Sequence, residues 1–105
     1  MTKTEVVTMV KELDLPFAYD HFAEGKSAKP PFCIYLYPSA DNFAADGCAY
    51  FKQNNLHVEI YTDKKDVSLE EKVEAVFDKH GLFYAKSEVW IQSEKLYEVL
   101  YQMEV

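Results

Sequence analysis

Three glycines among 105 residues, at positions 25, 47 and 81, are too few and too scattered for a loop that cradles phosphate. Cysteine is equally scarce. Cys33 and Cys48 stand without a Cys-x-x-Cys pair, which fits neither a disulfide framework nor a zinc site. Both are expected as reduced, partly buried small hydrophobes. No run approaches the roughly 20 apolar residues of a membrane helix, and the opening MTKTEVVTMV is too polar for a signal peptide. The expectation is a protein that stays in the cytoplasm where it is made and engages no membrane. Basic charge is also short: eleven lysines and arginines against eighteen acids give a net charge of -7, which opposes phosphate backbones and anionic lipid. Specific nucleic-acid binding is not expected.

What is present suits a globular chain. Apolar residues make up 49% and charged residues 28%, and 105 residues are enough for a single domain spanning 1–105. A chain of this size buries roughly two thirds of the surface its unfolded form exposes. The aromatic share of 15%, with eight Tyr, seven Phe and one Trp, exceeds what so small a core needs. Some of these rings are expected at a surface that meets another protein.

Residues 2–13 read as an amphipathic helix with Val6, Met9, Val10 and Leu13 on one stripe. Thr2 and Glu5 form a capping box at its start, and Pro16 bars its continuation. Phe17 to Phe22 suits a short strand or an extended crossing, and residues 24–31, EGKSAKPP, a loop. Phe32 to Tyr37 is a dense β signal in which Phe32, Ile34 and Leu36 alternate with Cys33, Tyr35 and Tyr37. Residues 39–47, SADNFAADG, carry turn chemistry around Phe43, so a loop with a docking aromatic is expected there. Cys48 to Phe51 and Leu56 to Tyr61 are β runs. Gln53, Asn54 and Asn55 between them form either a turn or a bulge in one long strand.

The clearest helix is 68–80: Ser68 and Glu71 suggest a capping box, Leu69, Val73, Val76, Phe77 and His80 form the stripe, and Gly81 ends it. Glu70, Glu71, Glu74 and Asp78 are expected to form a solvated face. Phe83 to Gln92 and Lys95 to Val105 are two final strands joined at 93–94, with a helix over 94–103 as the rival for the last. The fold class is therefore α+β: a mixed, mainly antiparallel sheet packed by two helices in the order α-β-β-β-α-β-β, or with four strands before the second helix. Ile34, Val58, Ile60, Val73 and Phe77 are the expected core.

Few residues are placed to carry chemistry. His21, His57 and His80 lack the i, i+4 spacing of helical metal ligands, so no metal is expected. Neither cysteine has a basic neighbour or a helix start to activate it, and no Gly-x-Ser-x-Gly elbow exists. Tyr35, Tyr37, Tyr50 and Tyr61 could form a base-stacking platform, but the flanking cations such platforms use are missing beyond Lys64 and Lys65. The expectation is no enzyme and no cofactor. Phe43, Tyr35, Tyr37 and Trp90 are the candidate contact residues for self-association or a partner, being large apolar groups in a loop or on a strand face that the core can spare.

The segments FAYDHFAEG, PPFCIYLYPSADNFAADG, FKQNNLHVEIYTDKKD and SEKLYEVLYQMEV resemble a family of small prophage-encoded proteins of Gram-positive bacteria, found among head-to-tail joining and tail genes. The likeness runs over residues 2–105. It implies a tail terminator, or tail-completion protein, of a long non-contractile tail: a mixed sheet with two helices, assembled as a hexameric ring that caps the tail tube and meets the head connector. Its partners would be further copies of itself, tail-tube protein and head-connector protein, and its place the host cytoplasm during assembly and then the neck of the virion. The resemblance brings no motif to transfer residue by residue. The alternatives are a head–tail connector subunit and, in a different class, a small ligand-binding α+β module built around His57, Glu59 and Tyr61.

Overall fold

Helix α1 (Lys3–Glu12) begins where the capping box predicts: the Thr2 side chain accepts from the Glu5 N–H at 3.1 Å, and the Glu5 carboxylate accepts from the Thr2 N–H at 2.9 Å. Its stripe of Val6, Met9, Val10 and Leu13 is buried. Six strands make the sheet: β1 (Phe17–Tyr19), β2 (Phe32–Leu36), β3 (Ala40–Ala45), β4 (Cys48–Thr62) and, after α2 (Val67–Lys79), the pair β5 (Tyr84–Ile91) and β6 (Leu96–Glu104). This computed structural model describes residues 1–38, 40–45 and 48–105, with the backbone alone over 40–45 and 48–54.

The fold is α+β, with the expected element order and the short β1 as a fourth strand before α2. Strands run in the order β1-β2-β4-β6-β5, with β3 attached to β4. Only β1 with β2 is parallel; every other described pairing is antiparallel. The last element is a strand and not the rival helix, because Leu96–Glu104 sits between β4 and β5 and is laddered on both sides.

Both helices bury their stripes on one face of the sheet. Cys33 and Tyr35 of β2, Leu56, Val58 and Ile60 of β4, and Val99, Tyr101 and Met103 of β6 meet Val6, Met9, Val10, Val73 and Phe77 there. The expected core residues are all buried, but Ile34 is buried on the reverse face. The alternation of β2 offers two apolar sets, and the helices take the Cys33–Tyr35 set.

Three local expectations are corrected. Residues 40–45 are a strand, since the long β4 supplies a partner across the hairpin that local turn chemistry does not reveal. Residues 53–55 neither turn nor bulge: β4 runs unbroken, and the register shift falls where Phe43 pairs Phe51 and Ala44 pairs Ala49. Helix α2 starts one residue early, because Asp66 and not Ser68 is the N-cap, accepting from the Leu69 N–H at 3.1 Å. Residues 55–62 of β4 belong to the main sheet, while 48–54 pair with β3 beyond it. The molecule measures 50 × 30 × 23 Å, with a radius of gyration of 15.0 Å, against about 13 Å for an ordinary 100-residue domain.

Candidate functional site

The four candidate contact residues do not form one patch. Tyr35 is only 8% exposed, with its ring 5.3 Å from that of Tyr19 and 6.2 Å from that of Phe17. It is part of the core and offers little contact surface, because β2 turns this face toward α1. Tyr37 is half-buried beside it. Its N–H donates to the Tyr19 hydroxyl at 3.3 Å, its ring lies 5.6 Å beneath the Lys3 ammonium, and its own hydroxyl is buried without a protein partner. Lys3, Val7, Tyr19, Tyr35 and Tyr37 line a recess of about 300 Å³. Burial, then the neighbouring tyrosines, hold the Tyr35 and Tyr37 hydroxyls above their ordinary pKa. The side chain of Phe43 lies outside the described residues.

Trp90 sits on β5, at the far edge of the sheet from β1. It is 40% exposed, its Nε1–H donates to Gln92 at 2.8 Å, and its ring is 4.8 Å from that of Tyr97. Two more apolar residues, which sequence reasoning passed over, are exposed along the same edge without sharing Trp90's face: Val89, 52% exposed on the opposite side of the strand, and Phe83, 95% exposed just before it. The available signal was Val89 next to Trp90 in a strand, since consecutive apolar residues point to opposite faces and both cannot enter one core.

On the reverse sheet face, His57, Glu59 and Tyr61 do share a side, as their alternation predicts. The Tyr61 hydroxyl donates to Glu59 at 3.0 Å and also meets Glu98 of the adjacent strand. Burial raises the pKa of both carboxyls. Glu98 is raised further by the Glu59 charge, while the Tyr61 hydrogen bond works against the shift in each. His57 stands apart. Its Nε2 is 3.3 Å from the Gln102 amide, and it lies in a recess of about 460 Å³ with Pro38, Asn55, Gln102, Met103 and Glu104, which neither Glu59 nor Tyr61 lines.

The acids of α2 are not uniformly solvated. Glu71 and Asp78 are exposed, but Glu70 is only 4% exposed and Glu74 is half-buried. Lys86 of β5 reaches both at 2.7 Å, Lys65 contacts Glu70 at 2.9 Å and Glu88 at 2.9 Å, and the Tyr101 hydroxyl donates to Glu74 at 2.8 Å. The reason is that β5 presents Lys86 on the helix face, under the first two turns of α2. Burial alone would raise the pKa of Glu70 and Glu74, but hydrogen bonds from the lysines outweigh it and hold both carboxyls below their ordinary value. The same two acids push Lys86 well above the usual lysine range.

The other histidines are engaged with carboxylates: His21 Nδ1 lies 2.9 Å from Asp20, and His80 Nε2 lies 2.9 Å from Glu12, which also pairs with Lys79. Among the described residues, no three His, Cys, Asp or Glu side chains are grouped to hold a metal ion, and no helix is long and apolar enough to cross a membrane. Comparison of the chain with protein-family models and with curated proteins finds no match.

Proposed function

We propose that the chain is a structural protein of phage tail morphogenesis, a tail terminator that caps the tail tube and joins it to the head. It acts by self-association and docking, in the host cytoplasm during assembly and then in the virion neck. The observation that carries this reading is the row of exposed apolar side chains along the β5 edge: Phe83 just before the strand, Val89 on one face and Trp90 on the other. The resemblance over residues 2–105 supplies the setting, and the net charge of -7 would let DNA slide past without adhering. Tube subunits add through a contact that does not close on itself, so growth stops only when another protein occupies the free end. Such a cap requires affinity and no chemistry.

The test is deletion of the gene in the phage that carries it, followed by electron microscopy of the lysate. The expected result is filled heads without tails together with tubes of excessive, irregular length, and restoration of joining when the protein is supplied in trans. Tails of normal length that fail to attach would assign the chain to the connector instead. Normal virions would overturn both roles.

A further inference from the structure

We infer that two copies of this chain associate by pairing their β5 strands antiparallel about a two-fold axis at Ser87, so that the sheet of one protomer continues into that of the other. The inference does not rest on the phage assignment. Its basis is the β5 edge itself. Among the described residues β5 pairs only with β6, over eight positions without a register shift, so alternate residues turn their N–H and C=O groups outward. Edge strands are ordinarily guarded by proline, a bulge, short length or an outward charge. β5 has no proline, and its two charges, Lys86 and Glu88, lie on the helix face, tied to Glu70, Glu74 and Lys65.

The sequence of the strand, YAKSEVWI, is self-complementary about Ser87. An axis there sets Lys86 opposite Glu88 of the second copy, Ala85 opposite Val89, and Tyr84 opposite Trp90. The next pair outward brings the exposed Phe83 against Ile91. Directly opposite residues share a face, so Lys86–Glu88 and Tyr84–Trp90 fall on the helix side and the other apolar pairs on the reverse side. Neighbouring registers lose this match. An axis at Lys86 opposes two lysines and one at Glu88 opposes two glutamates, which costs stability in either case. The paired form would also cover Phe83, Val89 and Trp90, three of the five exposed large hydrophobics among the described residues. A two-fold contact is closed, so the product is a dimer and not a filament.

The experiment uses the full chain carrying Cys48→Ser, which leaves only the buried Cys33. Sedimentation from micromolar to millimolar protein is expected to move from the 12.2 kDa chain mass to twice that value. Under mild oxidation the Ser87→Cys protein should form a covalent dimer, because opposite Cβ atoms lie about 4.5–5.5 Å apart and a disulfide needs only a small further approach. Ala85→Cys and Val89→Cys proteins should each stay uncrosslinked alone but crosslink when mixed. Ser87→Lys should raise the dissociation constant about tenfold or more by opposing two ammonium groups at the axis, with an unchanged far-UV spectrum. A monomer at every concentration would overturn the inference. So would equal self-crosslinking at 85, 87 and 89, or a dimer indifferent to Ser87→Lys.

Discussion

Glu70 of α2 and Lys86 of β5 are joined at 2.7 Å, and the glutamate is almost wholly enclosed while the lysine keeps part of its length in water. Removing the acid would leave a cavity and strip one of two carboxylate partners from each lysine, Lys86 keeping Glu74 and Lys65 keeping Glu88. Glu70→Ala is expected to cost about 1–3 kcal/mol, below the figure for a fully buried pair because both lysines can turn to solvent. Glu71→Ala, on the exposed side of the same turn, should stay within about 0.5 kcal/mol. Urea denaturation of the two variants side by side checks the contrast. Because the folded-state pKa of Glu70 is lowered, its contribution is complete above the ordinary value of 4.5 and fades as pH falls through the lower folded value. The gap between the wild type and Glu70→Ala should therefore narrow in acid.

The sign reverses for Glu59 and Glu98. Their folded-state pKa values are raised, so the folded protein is favoured while they are protonated and loses that advantage as pH rises through the raised values. Glu98→Gln keeps an acceptor for Tyr61 and removes one of two like charges on diagonal positions. It should stabilise the protein at pH 7 by about 0.2–1 kcal/mol. Near pH 4 the gain should vanish, which a series of thermal melts across pH would reveal.

Phe77 is fully buried, with its ring 5.2 Å from that of Tyr101 and 5.7 Å from that of Tyr84. Phe77→Ala should cost about 3–5 kcal/mol, since the rigid sheet beneath can close little of the cavity. Chemical denaturation reads this directly, and a near-zero change would mean that α2 does not seat on β5 and β6.

Cys33 is buried, and burial together with the nearby Glu59 charge pushes its thiol up to about 12. In the Cys48→Ser protein, iodoacetamide should leave Cys33 unmodified under native conditions at pH 8 and alkylate it fully once the chain is unfolded in denaturant. Mass spectrometry distinguishes the two. Rapid native labelling would contradict the placement of β2 against α1.

Gly81 takes φ +69° just past α2, and a methyl group added there would meet nothing within 4 Å. The cost of Gly81→Ala is thus one of backbone conformation, about 1 kcal/mol. Lys95 takes φ 53° in the β5–β6 turn without being glycine, so Lys95→Gly should leave stability unchanged or improve it slightly. Paired melts of the two variants should move in opposite directions or show a loss only for the first.

Much of the architecture was legible because its signals are local. The Thr2–Glu5 box, the Val6–Val10 and Val73–Phe77 stripes, and Gly81 as a stop each act within a turn or two of chain. What escaped was decided at a distance. Residues 40–45 look like a loop until the partner strand is known, and the face of β2 that meets the helices cannot be read from Phe32–Tyr37 alone, because both sets are apolar. Glu70 and Glu74 read as solvated acids because the lysine that claims them comes from a strand twelve to sixteen residues further on. Of the candidate contact residues, Trp90 is where an exposed ring was expected and Tyr35 is not, for the same reason: burial of a strand residue depends on which neighbours flank it.

Strand β4 is a single 15-residue segment shared by the main sheet and the β3 hairpin. At about 3.4 Å per residue it would run close to 50 Å, near the longest dimension of the molecule. A pull on the hairpin along that strand would not peel bonds away one at a time. It would load the ladders with β2 and β6 in shear, so that many hydrogen bonds resist together, and the force would enter the core through covalent backbone without crossing a joint. The chain thus contains a tie-rod, anchored on both flanks at one end and open to a load at the other.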